Sequence, residues 1–168
     1  RLCVMNLATG TQSYLTGMPD EKGYTAFDSN VDSYCWAPDC KSLYFTGTWH
    51  GATQVYNITL KGKLTKMTEG DYDYQSVAMV GKDLLMKRVS MSAPADIYTM
   101  KAKAGSEVKQ LTNENKHIFD QIAIGKVEAR WCKTVDGKDL HSWVVYPPHF
   151  DPSKKYPTLL YCEGGPQS

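Results

Sequence analysis

The sequence has no excess of charge of either sign, since 19 lysines and arginines stand against 18 aspartates and glutamates. This balance gives no electrostatic basis for binding nucleic acid or an anionic membrane. No run comes near the roughly 18 apolar residues that a membrane-spanning helix needs. The chain opens on arginine and shows no signal peptide, so we expect it to be a piece of a longer protein.

The sequence also lacks a metal-binding pattern. Its five cysteines are scattered and contain no C-x-x-C pair, and its four histidines have no partners at ligand spacing. Zinc sites need such pairs, so we expect no metal. The cysteines are predicted to be isolated, buried thiols. A single disulfide between two of them is the alternative.

What the chain does contain is a repeat. Three segments each combine an apolar strand, a glycine-containing turn and a second short strand, and each closes on a threonine: Thr16, Thr68 or Thr112. The closing threonines recur at the spacing of about 40–50 residues that is typical of four-stranded propeller blades. No long stretch has a helical period. The pattern predicts one complete blade, most or all of a second, and the last strand of an earlier one.

Individual strands can be placed within the repeat. Residues 43–46, 77–80 and 84–89 are predicted strands, and Ala93-Pro94 is predicted to be a loop. After residue 120 the pattern changes: Asp136-Gly137 is a strong hairpin turn signal. The apolar run of residues 158–162 reads as a short buried strand before a glycine-rich turn.

Two motifs carry a family resemblance. "WAPDCKSLYFT" (36–46) resembles the W-S-P-D-G-K-x-L-x-F turn of the propellers in TolB and in the prolyl oligopeptidase family. It departs at Cys40, where glycine is usual, and a positive φ there would carry a steric penalty. "KKYPTLLYCEGGP" (154–166), after a hairpin that ends in Pro-Pro, is similar to the entry into the α/β-hydrolase domain of the same family, especially its dipeptidyl-peptidase and acylaminoacyl-peptidase branches.

The resemblance implies a mainly β fold, in which the last blades of a β-propeller (1–125) precede the first strands of an α/β-hydrolase sheet (126–168). It implies a serine exopeptidase that acts near the N-terminus of oligopeptides, without a cofactor. In such enzymes a serine attacks the scissile carbonyl, a histidine moves the proton and an aspartate orients the histidine. No G-x-S-x-G occurs in the sequence, so these three residues are expected beyond Ser168 and the 168-residue polypeptide is expected to be inactive.

Three residues are candidates for the site. Gly164 and Gly165 could present backbone N–H groups to an oxyanion, although a tight turn alone would also need them. Glu163 stands where many relatives have histidine or tyrosine, and it could bind the substrate's amine or form an ordinary ion pair.

Two other functions stay open at this stage. One is a non-enzymatic propeller that binds protein or peptide, and the other is an esterase or lipase; the segment from Val127 onward argues against the first and the propeller against the second. The polypeptide is expected to self-associate through an open blade face or strand edge. The resemblance favours the periplasm over the cytoplasm.

Overall fold

The computed structural model describes residues 1–17, 27–28 and 30–162. The chain divides into two compact units, Arg1–Glu114 and Asn115–Ser168. We describe each unit by itself. The division of the chain into domains at residue 125 stays a prediction.

The first unit is built of antiparallel sheets in which every strand pairs with its neighbour in sequence. A two-stranded sheet comes first, and two four-stranded sheets follow it. The strands of the pair are β1 (Cys3–Met5) and β2 (Gln12–Tyr14). Those of the first four-stranded sheet are β3 (Tyr34–Trp36), β4 (Ser42–Trp49), β5 (Ala52–Thr59) and β6 (Leu64–Lys66). Those of the second are β7 (Asp73–Val80), β8 (Asp83–Ser90), β9 (Ala93–Lys101) and β10 (Lys109–Gln110).

This arrangement confirms the partial propeller, because a blade is a four-stranded antiparallel meander. Two complete blades are present, and the earlier element contributes a pair of strands where the sequence predicted one.

The core explains why the central strands are apolar on both faces. One face of the first blade packs against the second blade, in a cluster that joins Tyr44 and Val55 to Leu84 and Met86. Its other face packs against the preceding pair of strands through Phe45 and its neighbours. Burying each such side chain stabilises the fold by about 1.5–3 kcal/mol. A blade between two others therefore needs continuous apolar strands, and β4 is buried over most of its length.

The closing threonines have one structural role that recurs in all three segments. Each hydroxyl accepts a hydrogen bond from a backbone N–H on, or just before, the strand that pairs with the last strand of its segment. The donors are Leu2 to Thr16 (2.7 Å), Val55 to Thr68 (2.9 Å) and Ile97 to Thr112 (2.9 Å). Each bond ties the end of the outer strand to the strand beside it. The repeat seen in the sequence therefore reflects a repeated hydrogen bond.

The β3–β4 turn gives Cys40 the positive φ for which a steric penalty was expected. Its φ is +54°, in the left-handed region where a Cβ is unfavourable. The turn is closed by the Cys40 N–H donating to the Ala37 carbonyl (2.9 Å), and the Asp39 carboxylate accepts from the Lys41 N–H (3.0 Å).

One loop prediction is wrong. Ala93 and Pro94 open strand β9, although proline cannot donate to a sheet. The β8–β9 register shifts between Arg88 and Ser90, opposite this position. Proline is tolerated at a strand start or a bulge because no ladder hydrogen bond is required of it there.

The second unit contains a short helix and a hairpin. The elements are α1 (Lys116–Phe119), β11 (Val127–Lys133) and β12 (Asp139–Val145). The predicted turn is confirmed: Gly137 has φ +81°, and the Thr134 N–H donates to the Lys138 carbonyl at 2.9 Å. Within the described ranges, no helix has the length and apolar character to cross a membrane.

The buried strand predicted for residues 158–162 is wrong as far as the described chain goes. The segment has no strand assignment, and Leu159 and Leu160 are 97% and 89% exposed. A strand inside a mixed or parallel sheet needs neighbours that are distant in sequence. Among the described residues, nothing pairs with this segment.

Candidate functional site

The residues predicted to form the oxyanion loop, Glu163, Gly164 and Gly165, lie outside the described residues. The described chain reaches Cys162 and shows how the second unit leads toward them. Its hairpin carries Glu128 and Arg130 on one face, and Trp131, His141 and Trp143 on the other.

The polar face of the hairpin centres on Glu128. Its carboxylate accepts from the Lys126 ammonium (3.2 Å) and from the Tyr146 hydroxyl (3.1 Å). Arg130 in turn donates to the Tyr146 hydroxyl at 2.6 Å. The hydrogen bonds from Lys126 and then from Tyr146 hold the pKa of the Glu128 carboxyl below its ordinary value. Glu128 therefore stays ionised at neutral pH and aligns two cations, so it is poorly suited to act as a general acid.

The loop after β12 is ordered by aromatic contacts. The ring of Phe150 lies 4.6 Å from that of Tyr146 and 5.1 Å from that of Tyr156, between ring centroids. The Tyr156 hydroxyl accepts from the Asp151 N–H at 3.0 Å. These contacts hold the polar loop of residues 151–155 in place. The loop leads into the apolar segment of residues 158–162.

A cavity of about 390 Å³ lies beside this loop. Gly125 is required at its wall, because a Cβ there would come within 1.7 Å of the Tyr146 carbonyl oxygen. The cavity is lined by Ile124, Gly125, Lys126, Glu128, Tyr146, Pro147, His149 and Phe150. Its charged groups are already paired with each other, so it presents no unmatched charge to a ligand.

The four histidines occupy ordinary positions, as the sequence predicted. The His50 N–H donates to the Asp28 carboxylate (2.7 Å) in the β4–β5 turn, and the His117 carbonyl accepts from the Gln121 amide (2.8 Å). The His141 ring stacks on Trp131 at 4.5 Å, and His149 lines the cavity. Across residues 1–17, 27–28 and 30–162, no group of three His, Cys, Asp or Glu side chains could hold a metal ion.

The cysteines differ from the prediction. All are free thiols, but Cys3, Cys40, Cys132 and Cys162 are exposed and only Cys35 is half-buried. Cys40 lies on the β3–β4 turn and Cys3 begins the short strand β1. Burial raises the pKa of the Cys35 thiol, which lowers its thiolate fraction and makes it a poor nucleophile.

Sequence reasoning missed a cluster around Arg88 in the second blade. The Arg88 guanidinium lies over the rings of Tyr98 (3.6 Å) and Tyr72 (4.0 Å), and Tyr74 is its cross-strand neighbour. No motif could have revealed this cluster, because antiparallel register brings its members together.

Comparisons with known proteins agree with this architecture. No family model matches the chain. The chain is 41% identical to dipeptidyl-peptidase 5 of Porphyromonas gingivalis over 169 aligned residues, which cover 100% of this chain and 23% of the relative. It is 40% identical to dipeptidyl-peptidase 5 of Porphyromonas endodontalis over 128 residues, covering 76% of this chain and 18% of that protein. The chain therefore spans less than a quarter of the length of these curated relatives.

Solved structures support the same fold. An acylaminoacyl peptidase in complex with Z-Gly-Gly-Phe-chloromethyl ketone matches with a TM-score of 0.61 and 21% identity, over 77% of this chain and 19% of that one. The Pyrococcus horikoshii acylaminoacyl peptidase matches with a TM-score of 0.58 and 20% identity, over 70% of this chain and 18% of that one. At this identity the likeness shows the fold alone. The sequence relatives support the resemblance to the prolyl oligopeptidase family of peptidases.

Proposed function

We propose that the chain is part of a serine exopeptidase that hydrolyses peptide bonds near the N-terminus of oligopeptides. The observation that carries this proposal is the 41% identity to a dipeptidyl-peptidase 5 along the whole chain, blades and hairpin included. Residues 1–125 would form the last blades of the propeller, and residues 126–168 would begin the catalytic α/β-hydrolase domain. The relatives give no support to a non-enzymatic binding propeller.

Within this function, dipeptide release is favoured over release of acylated residues. The sequence relatives at 40% identity or more carry the dipeptidyl-peptidase name, whereas the acylaminoacyl peptidases match only as folds, at 20–21% identity. A dipeptidyl-peptidase must recognise a free amine two residues before the scissile bond. An acylated N-terminus should therefore abolish cleavage.

The full-length protein that contains this chain tests the proposal directly. A dipeptidyl chromogenic substrate with a free amine should be cleaved, and its N-acetylated counterpart should not. A serine-reactive fluorophosphonate should label the protein and stop the reaction. Cleavage of the acetylated substrate alone would favour acylaminoacyl release, and cleavage of neither would refute the exopeptidase.

We assign the oxyanion donor to the backbone N–H of Gly164 or Gly165, with the Glu163 carboxylate turned away. The support is the order of motifs, because α/β-hydrolases take one donor from a loop between a sheet strand and the first helix, and the Gly-Gly pair follows the apolar run of residues 158–162. Gly164→Val should crowd that loop and lower kcat/KM by about 10²-fold, the scale of one lost donor. Glu163→Ala should lower it less than about tenfold. If Glu163→Ala is the more damaging change and both variants fold, substrate-amine binding by Glu163 is the better account.

The isolated 168-residue polypeptide should show no peptidase activity and no fluorophosphonate labelling, because it contains no G-x-S-x-G. It should also self-associate, because Leu159, Leu160 and Tyr161 are 97%, 89% and 81% exposed and contiguous apolar surface recruits other chains. Light scattering at tens of micromolar measures this. A monodisperse monomer would contradict the self-association, and stoichiometric labelling would contradict the inactivity.

A further inference from the structure

Arg88 on β8 is held by aromatic groups from two directions. Its guanidinium carbon lies 3.6 Å from the ring centroid of Tyr98 and 4.0 Å from that of Tyr72. Ring contacts of this kind engage the flat face of a guanidinium and orient it, while its N–H groups point outward in its plane. The cluster therefore presents a half-buried cation in a fixed orientation.

Arg88 has no ion pair with any carboxylate that the structure describes. Within the described ranges, none lies at ion-pair distance from the Arg88 guanidinium. The acid opposite it in register is Asp96 on β9, but that carboxylate is committed elsewhere. It accepts from the Thr112 hydroxyl (2.7 Å) and from the Gln110 amide (3.2 Å). A half-buried arginine without an acid is costly unless its donors find an acceptor.

The Tyr74 hydroxyl is a second polar group beside Arg88. Tyr74, its cross-strand neighbour on β7, is 1% exposed, and its hydroxyl makes no hydrogen bond of ordinary distance and angle with any described group, although it interacts with the Arg88 guanidinium. Buried hydroxyls almost always have a partner. Burial lowers the pKa of Arg88, and its contacts with the Tyr74 and Tyr98 hydroxyls outweigh that effect, so its pKa lies above the ordinary value. Arg88 is therefore charged at every physiological pH.

The backbone around the cluster is shaped irregularly on both sides. The β7–β8 register shifts between Tyr74 and Ser76, and the β8–β9 register shifts between Arg88 and Ser90. Bulges re-aim side chains and are over-represented beside functional sites. Arg88 also lies close to the β8–β9 turn, where Met91 is 61% exposed, so a ligand could approach from solvent.

The backbone that carries Tyr72 is held by a buried glutamine. The Gln54 amide donates to the carbonyls of Gly70 (2.7 Å) and Tyr72 (3.1 Å), and Gln54 is 2% exposed. A Cβ at Gly70 would lie 2.8 Å from the Tyr72 ring. The aromatic wall is therefore built into the blade before any ligand arrives.

We propose that Arg88, flanked by Tyr72 and Tyr98, binds a carboxylate of the oligopeptide substrate. The proposal rests on the proposed peptidase function and adds to it a determinant of which peptides are preferred. The carboxylate is either the C-terminus of the peptide or an acidic side chain downstream of the scissile bond. Either would accept paired N–H groups from the plane of the guanidinium, as arginine–carboxylate pairs do.

The test uses the full-length protein and one tetrapeptide in three forms: a free C-terminal acid, its C-terminal amide, and the amide with glutamate replacing glutamine at the third position. We expect kcat/KM to be about tenfold higher for one carboxylate-bearing form than for the neutral amide, the scale of one charge-assisted pair at a partly exposed site. Preference for the acid form identifies the C-terminus, and preference for the glutamate form identifies the side chain.

Arg88→Gln should bring that ratio to about one, and Arg88→Lys should retain part of it. Lys87→Gln is the matched control, because it removes the same charge from the adjacent, exposed position of β8 and should leave the ratio unchanged. A ratio near one in the unmodified protein overturns the proposal whether or not the variants fold. An unchanged ratio in a folded Arg88→Gln protein does the same.

Calorimetry with N-acetylated tetrapeptide acid, amide and glutamate amide separates this proposal from the peptidase function. If the protein cleaves no peptide but binds a carboxylate-bearing form more tightly through Arg88, the function fails and the carboxylate site stands. If it cleaves peptides without any carboxylate preference in rate or binding, only the carboxylate site fails.

Discussion

Thr68→Val removes one hydroxyl from the core of the first blade and keeps the shape of the side chain. That hydroxyl accepts from the Val55 N–H at 2.9 Å and donates to the Gln54 side-chain oxygen at 2.7 Å. Thr68 and Gln54 are each 2% exposed and Val55 is 0% exposed. The substitution therefore leaves one buried donor and one buried acceptor without a partner and without access to water.

The expected loss follows from those two groups. An unsatisfied buried polar group costs about 1–3 kcal/mol, and partial relaxation reduces the sum, so Thr68→Val should lower the free energy of unfolding by about 2–4 kcal/mol. Thr112→Val removes the equivalent bonds to Ile97 and Asp96. It should cost less, about 1–2 kcal/mol, because Thr112 is only half-buried and Asp96 keeps its bond from Gln110.

Denaturant unfolding of the full-length protein measures these values, and hydrogen exchange of residues 52–59 reports whether the Val55 amide has lost protection. Thr65→Val on β6 is the matched control, because no hydrogen bond of its hydroxyl is found among the described residues and it is half-buried. It should change stability by less than about 0.5 kcal/mol. If Thr68→Val lowers the free energy of unfolding no more than this control does, the hydrogen bonds of the closing threonine do not stabilise the blade.

Three further outcomes are expected. Cys40→Gly should stabilise the protein by about 0.5–1 kcal/mol, because glycine relieves the positive φ, while Cys40→Ala should not; equal unfolding midpoints would contradict this. Gly125→Ala should destabilise the second unit by at least about 2 kcal/mol, because the Tyr146 carbonyl must move; an unchanged thermal melt would contradict it. Burial raises the pKa of the Tyr56 and Tyr74 hydroxyls from their ordinary value of about 10, so the unfolded chain ionises first and the free energy of unfolding should fall as the pH rises above about 10; equal urea midpoints at about pH 9 and pH 11 would contradict it.

Local signals in the sequence predicted the parts of the fold that depend on local chemistry. The Asp136-Gly137 turn needs a left-handed residue, and glycine supplies it. The closing threonines recur because each blade must satisfy the same N–H at the same place. Cys40 was recognisable as strained because the surrounding motif normally carries glycine there.

The failures concern properties that a strand acquires only from its neighbours. Residues 158–162 are apolar enough for a buried strand, but pairing with residues distant in sequence decides whether they form one. Burial of the cysteines was misjudged for a similar reason. An apolar side chain on a strand is buried only where another layer packs on that face, and the Cys3 side chain is exposed.

The Arg88 cluster is the part of the structure that the sequence predicted least well. Tyr72, Tyr74 and Tyr98 are separated along the chain by turns and by strand β8 itself, and tyrosines in a propeller usually pack between blades. Register alone places Tyr74 and Asp96 on either side of Arg88. Whether Asp96 pairs with Arg88 or turns to Thr112 is then decided by the closing threonine of that blade. The repeat that stabilises the blade thus engages the acid that lies opposite Arg88 in register, and this is the contact on which the proposed carboxylate site depends.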